Sequence, residues 1–188
     1  MHVLWGLSAQ GLKYELKGGT SLSKGLKDGI LLEVGFDRTQ PSTKRLVSSW
    51  AYDRGVSSAG SILDNRAVDV ACYRPEYTFV EKIQTVIRKS RQFREDGTLQ
   101  RNFLRHYYDI DMLLGCEDVR SFIGTNEYMK HKTERIRGKD LEFGIQAAFD
   151  ILRPELEREY ARTAELYYRG QPSLSEIADR IAPYLNRL

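Results

Sequence analysis

The apolar pattern of the chain changes at Pro75, and no other feature constrains the fold as much. Before Pro75, short apolar runs are broken by glycine and polar residues; after it, apolar residues recur at helical spacing. Tyr14 and Leu16 alternate as in a half-buried strand, and Ile30, Leu31, Leu32, Val34 and Phe36 make 29–36 a richer one. Residues 45–52 and 67–73 are two further strand candidates between polar, glycine-containing loops. Beyond Pro75, Thr78 and Glu81 have the spacing of a capping box, followed by a stripe of Phe79, Val80, Ile83, Val86 and Ile87. A second helix is predicted over 101–114, with Phe103, Tyr107, Ile110 and Leu114 aligned. Pro154 opens a third, with Leu156, Tyr160, Ala164 and Tyr167 on one face and Gly170 as its stop. Ser173 and Glu176 form a second capping box before Ile177, Ile181 and Leu185. Strands followed by helices predict an α+β fold, with a sheet region over 1–74 and a helical domain over 75–188.

Composition narrows the functional class. Hydrophobic residues at 41% and charged residues at 29% are ordinary for a soluble globular protein. No run of 18 apolar residues is present, and the first residues lack the charged start and apolar core of a signal peptide. Cys72 and Cys116 show no metal-ligand spacing and suit a reducing cytosol, so the expectation is a cytoplasmic protein with no membrane partner. The net charge is only +3, but the cations are clustered. Arg88, Lys89, Arg91 and Arg94 form one group; Lys130, Lys132, Arg135, Arg137 and Lys139 form another. Such groups bind phosphate backbones or are solvated helix faces.

The stretch "ELKGGTSLSKGLKDGILLEVGFD" carries a glycine turn with chemistry in it. Gly18 and Gly19 leave the backbone open, Thr20, Ser21 and Ser23 supply hydroxyls, and Lys24 adds a positive charge. A turn of this type entering a helix favours an anion, because backbone N–H groups and the helix dipole point at it. It is not a Walker A loop, since the G-x-x-x-x-G-K-[ST] spacing is absent. The helix that should follow is cut off after barely one turn by Gly25-Leu26-Lys27-Asp28-Gly29.

Three segments in order, "LKGGTSLSKG", "RPEYTFVEKIQT" and "NFLRHYYDID", resemble the motifs of the AbiEii-type nucleotidyltransferase toxins, members of the DNA polymerase β-like superfamily. "LLEVGFD", "SSWAYDR" and "ELYYRGQPSLSEI" resemble the segments that link them. The resemblance implies a nucleotidyltransferase fold joined to a helical domain. It also implies transfer of a nucleotide from a nucleoside triphosphate to an acceptor such as tRNA, in a toxin–antitoxin or phage-defence setting with a cognate antitoxin. Mg²⁺ is the implied cofactor, because nucleotidyl transfer needs the triphosphate neutralised and the attacking hydroxyl activated.

By that resemblance Gly18, Gly19, Thr20, Ser21 and Lys24 bind nucleotide, Glu33 is the third carboxylate and a metal ligand, and Lys82 steadies the triphosphate. Asp109 is the acidic residue of the last motif, beside Arg105 and His106. Lys82 lies about 40° outside its helix's apolar stripe, and Asp109 also lies off its own, so each suits a cleft or open solvent. Together they are predicted to line one cleft with the glycine turn. An Asp-x-Asp should follow that turn on a strand, where residues i and i+2 share a face, yet nothing between Lys24 and Gly29 supplies it. "SLSKG" runs directly into "LKDG", which reads as an internal deletion. Asp109 and Asp111 have the right spacing, but on a helix they diverge by about 200° and cannot share a metal. Asp111 falls on the apolar side, which nothing in the sequence explains. The absent motif makes transfer by this chain doubtful. The alternative is a catalytically inactive relative that binds nucleotide, RNA or a protein partner.

Overall fold

The computed structural model describes residues 41–58, 62–164 and 170–188. Of these, residues 41–74 belong to one compact unit and residues 75–188 to a second. The architecture is α+β, as the order of the patterns predicts.

In the first unit, β1 (Ser42–Val47) pairs antiparallel with β2 (Ala67–Tyr73), with Ser42 opposite Tyr73, Arg45 opposite Val70 and Val47 opposite Ala67. Between the last two pairs, Leu46 faces both Val68 and Asp69, so β2 carries a bulge. Asp69 has φ +55° there, a conformation that Asp tolerates better than most residues. The strand predicted over 45–52 stops at Val47, and a helix, α1 (Trp50–Ser58), follows instead. Two serines cause the switch. The Ser49 hydroxyl accepts from the Tyr52 amide at 3.1 Å, capping the helix, and Ser48 Oγ donates to the Asp53 carboxylate at 2.6 Å.

The second unit is helical. α2 (Pro75–Asp96) starts three residues before the predicted Thr78 cap, because Pro75 is already shaped for the first helical position. Glu81 does not complete a capping box; its carboxylate meets Arg135 Nη2 at 2.7 Å. The predicted stripe of Phe79, Val80, Ile83, Val86 and Ile87 is buried throughout. α3 (Arg105–Leu114) begins later than predicted, since Asn102 takes a positive φ of 59° and residues 101–104 form a turn. Phe103, Tyr107, Ile110 and Leu114 are all buried nonetheless.

Three helices between residues 115 and 153 were not evident as separate elements: α4 (Glu117–Phe122), α5 (Asn126–Arg135) and α6 (Lys139–Phe149). Charge hides the pattern in α5, which buries only Tyr128 and His131 along its length. In α6, Gly144 has φ +74° and breaks the helical repeat. The Tyr107 hydroxyl donates to the Ala148 carbonyl at 2.6 Å and also bonds Ser90 at 2.9 Å, tying α2, α3 and α6 together through buried groups.

α7 (Pro154–Ala161) ends well before the predicted stop at Gly170. Its Tyr160 carbonyl is taken by the Thr163 hydroxyl at 2.6 Å and by the Gln171 amide at 2.8 Å. α8 (Leu174–Ile181) carries the predicted capping box, Ser173 Oγ accepting from the Glu176 amide at 3.1 Å and the Glu176 carboxylate accepting from the Ser173 amide at 2.7 Å. A 3₁₀ turn over Ala182–Arg187 then brings the Leu188 carbonyl to the Tyr128 hydroxyl, at 2.9 Å. No helix among the described residues is long and apolar enough to cross a membrane.

Candidate functional site

α2 and α3 pack antiparallel, as two contacts show. Lys82 on the early part of α2 reaches Asp109 at the middle of α3, while Ser90, later on α2, bonds Tyr107, earlier on α3. Lys82 sits just outside the apolar stripe of α2, so its stem follows the helix joint and its ammonium emerges at the rim. Lys82 Nζ donates to Asp109 Oδ2 at 2.6 Å, and the side chains keep 21% and 33% of their exposure. The pair is therefore reachable from solvent.

His106 lies one turn before Asp109, with its Nδ1 3.6 Å from Asp109 Oδ2. That separation is too long for a good hydrogen bond, and Nδ1 is buried without a hydrogen-bond partner. Burial lowers the His106 pKa, the Lys82 and Lys89 charges lower it further, and the Asp109 contact opposes them. The ring is neutral near pH 7. Burial alone would raise the Asp109 carboxyl, but His106 and the Lys82 ammonium outweigh it and hold the group below its usual value. Asp109 is thus a fixed anion at the rim of a neutral imidazole.

Further along the same joint stand Lys89 on α2 and Arg105 on α3, and neither makes an ion pair with a carboxylate among the described residues. Burial lowers the Lys89 pKa first, and the positive charges of Arg105, Arg88 and Lys82 add to the effect. The other predicted cations are divided. Arg91 is held by Asp140 and Glu95, both at 2.9 Å, Arg94 lies over the Phe143 ring at 5.8 Å, and Arg135 is bound to Glu81. These three serve helix packing.

Asp111 has a partner that the sequence does not disclose. Only 8% exposed, it accepts from Arg180 Nε at 2.6 Å and from Arg180 Nη2 at 2.7 Å, a bidentate pair joining α3 to α8. Its place on the apolar side of α3 follows from that contact. Asp109 and Asp111 therefore face different helices, as helical geometry requires. Two hollows in this unit, of about 310 Å³ beside Arg101–Leu104 and about 930 Å³ beside Asp111, Arg180 and Tyr184, include neither Lys82 nor Asp109.

Two of the predicted site residues, far apart in sequence, thus meet at one point. A model of the family described as nucleotidyl transferase AbiEii toxin, Type IV TA system, matches residues 25–182. The chain belongs to the AbiEii nucleotidyltransferase toxin family. No curated protein and no solved structure matches it. AbiEii membership implies a nucleotidyltransferase-like role in a toxin–antitoxin system. Gly18, Gly19, Thr20, Ser21 and Lys24 precede the matched stretch, and they and Glu33 lie outside the described residues. Of the residues predicted to share one cleft, only Lys82 and Asp109 are among the described ones, and they meet as an ion pair.

Nucleotidyltransferases generally use a divalent metal. The described residues do not fit one. The carboxylate of Asp109 is engaged by Lys82 and that of Asp111 by Arg180, and no group of three His, Cys, Asp or Glu among the described residues converges.

Proposed function

We propose that this AbiEii protein binds the phosphates of a nucleoside triphosphate at the Lys82–Asp109 site, with an RNA such as tRNA as the acceptor implied for the family. Its regulator is a cognate antitoxin. The observation that supports the reading is the 2.6 Å contact, which joins two motifs of the resemblance across 27 residues. Lys82 supplies the charge, and Asp109 holds the ammonium in place without quenching it, because both remain partly open to water.

For this chain we place the function at binding without transfer. Carboxylates that converge on a metal are needed for the chemistry, and "SLSKG" passes directly into "LKDG" where an Asp-x-Asp should intervene. Glu33 alone remains of the implied metal ligands, and one carboxylate cannot both neutralise and position Mg²⁺ beside a triphosphate. By the resemblance both flanks of the gap keep the family's motifs, which supports an internal deletion rather than gradual decay; the family match itself begins at residue 25, on the downstream flank.

Incubation with labelled nucleoside triphosphates, Mg²⁺ and total tRNA tests both parts. The expected result is nucleotide retained by the protein and no labelled RNA. Lys82→Ala should weaken nucleotide binding by about 1–3 kcal/mol, the range of a charge-assisted contact. Labelled RNA that disappears with Glu33→Ala would overturn the non-transferring reading; equal nucleotide affinity in wild type and Lys82→Ala would remove the site.

A further inference from the structure

We infer that Lys89 and Arg105 extend the Lys82 site into a strip that binds a chain of consecutive phosphates, with Asp109 acting as the internal counterion that holds Lys82 until the anion arrives. This rests on the nucleotide reading of Lys82 and gives a role to Lys89, outside the motifs, and to Arg105, which the last motif contains without one.

The placement follows from helix geometry. Lys89 is two turns beyond Lys82 on the same side of α2, about 10.5 Å along the axis. Arg105 is one turn before Asp109 on α3, and the antiparallel packing carries it toward the level of Lys89. Three cations therefore border one short stretch of the α2–α3 joint, with Asp109 as the only carboxylate paired among them. Lys89 is half-buried and Arg105 exposed. Elsewhere on α2, Arg91 is paired with Asp140 and Glu95 and Arg94 lies over the Phe143 ring, whereas the exposed Arg88 adds a further positive charge beside Lys89.

Like charges packed together oppose folding unless something neutralises them. The effect is visible in Lys89, whose charged form is disfavoured by burial and by its cationic neighbours. A polyphosphate resolves the conflict. The planar Arg105 guanidinium can grip one phosphate with two parallel N–H donors, and the two lysines act as point charges on its neighbours. The compactness of the cluster favours phosphates joined directly to one another.

Calorimetric titration of the full chain with inorganic tripolyphosphate, and separately with a 5′-hydroxyl RNA oligonucleotide, tests the inference. The variants are Lys89→Met and Arg105→Gln, with Arg94→Gln as the control, since Arg94 points to a different side of α2. Lys89→Met and Arg105→Gln should each weaken tripolyphosphate about ten-fold, while Arg94→Gln leaves it unchanged. RNA affinity should be unaffected by all three. Without anion, Lys89→Met should melt at or above the wild-type temperature, because it removes a repelled, half-buried charge. Arg105 is exposed, so its replacement carries little folding risk and keeps the test decisive. Equal tripolyphosphate affinity across the set, or losses confined to the RNA arm, would overturn the strip. The assay contains no nucleoside and scores no transfer: a chain that transfers nothing can pass it, and one that holds nucleotide elsewhere fails it.

Discussion

Replacing Asp109 by Asn should destabilise the helical unit more than replacing Lys82 by Met, although both break the same contact. At 2.6 Å the gross Coulomb attraction is roughly 1.6 kcal/mol in a water-like medium and roughly 6 kcal/mol at an effective dielectric of about 20. Desolvation and the ordering of a lysine side chain offset most of that. With the two side chains 21% and 33% exposed, the pair lies between a surface bridge, about 0–1 kcal/mol, and a buried one, whose disruption costs about 3–5 kcal/mol. The asymmetry comes from the neighbours. Asp109→Asn leaves the Lys82 ammonium among Lys89 and Arg105 with no counterion, so about 2 kcal/mol should be lost. Lys82→Met leaves Asp109 one third exposed to water and one helical turn from Arg105, so the loss should be about 1 kcal/mol. The double variant should show a coupling of about 1 kcal/mol. Urea unfolding followed by far-ultraviolet circular dichroism is the suitable assay, because it reads the helix content directly. An Asp109→Asn protein as stable as wild type, or one that outlasts Lys82→Met, would refute the argument that the strip is cation-rich and short of counter-charge.

Two further outcomes follow from the same unit. The folded-state pKa of His106 is lowered, so the unfolded chain takes up a proton first as pH falls; stability should decline below about pH 6.5, and His106→Gln should flatten that part of an unfolding-versus-pH curve. Ser173→Ala should remove the α8 cap, costing about 1 kcal/mol and about 2–4 °C in thermal unfolding, whereas an unchanged melting temperature would mean that α8 is held by packing alone.

The local physics of this chain was legible without coordinates. Side chains three and four apart share a helix face whatever the rest of the molecule does, so the stripes Phe79–Ile87 and Phe103–Leu114 could be read directly, and both are buried. The Ser173–Glu176 box is equally local, needing only four consecutive residues. Local signals misled where a distant group competed for the same atoms. Glu81 has capping-box spacing to Thr78, yet its carboxylate goes to Arg135, 54 residues on, and the helix starts at Pro75 without it. Ser48 and Ser49, between two apolar runs, resemble strand residues until their hydroxyls turn to Asp53 and Tyr52 and open a helix.

For the site, the separate candidacies of Lys82 and Asp109 were available from their motifs and from their positions beside the apolar stripes. Their meeting was not, because it depends on α2 and α3 folding back antiparallel through the turn at Asn102. The division of labour within "YDID" was half legible. Helical geometry alone separates Asp109 from Asp111, but only the tertiary structure supplies Arg180 as the partner that lets Asp111 sit 8% exposed on the apolar side. The same holds for the cations. The sequence shows that Lys89, Arg91 and Arg94 are clustered, and the Arg91–Glu95 pair is local to α2; which of them Asp140 and Phe143 consume, and which is left facing Arg105, depends on helices from elsewhere in the chain. Periodicity and caps act over a few residues and are written where they act. The partners of Lys82 and Asp111 come from 27 and 69 residues away, and only packing decides which of them arrive.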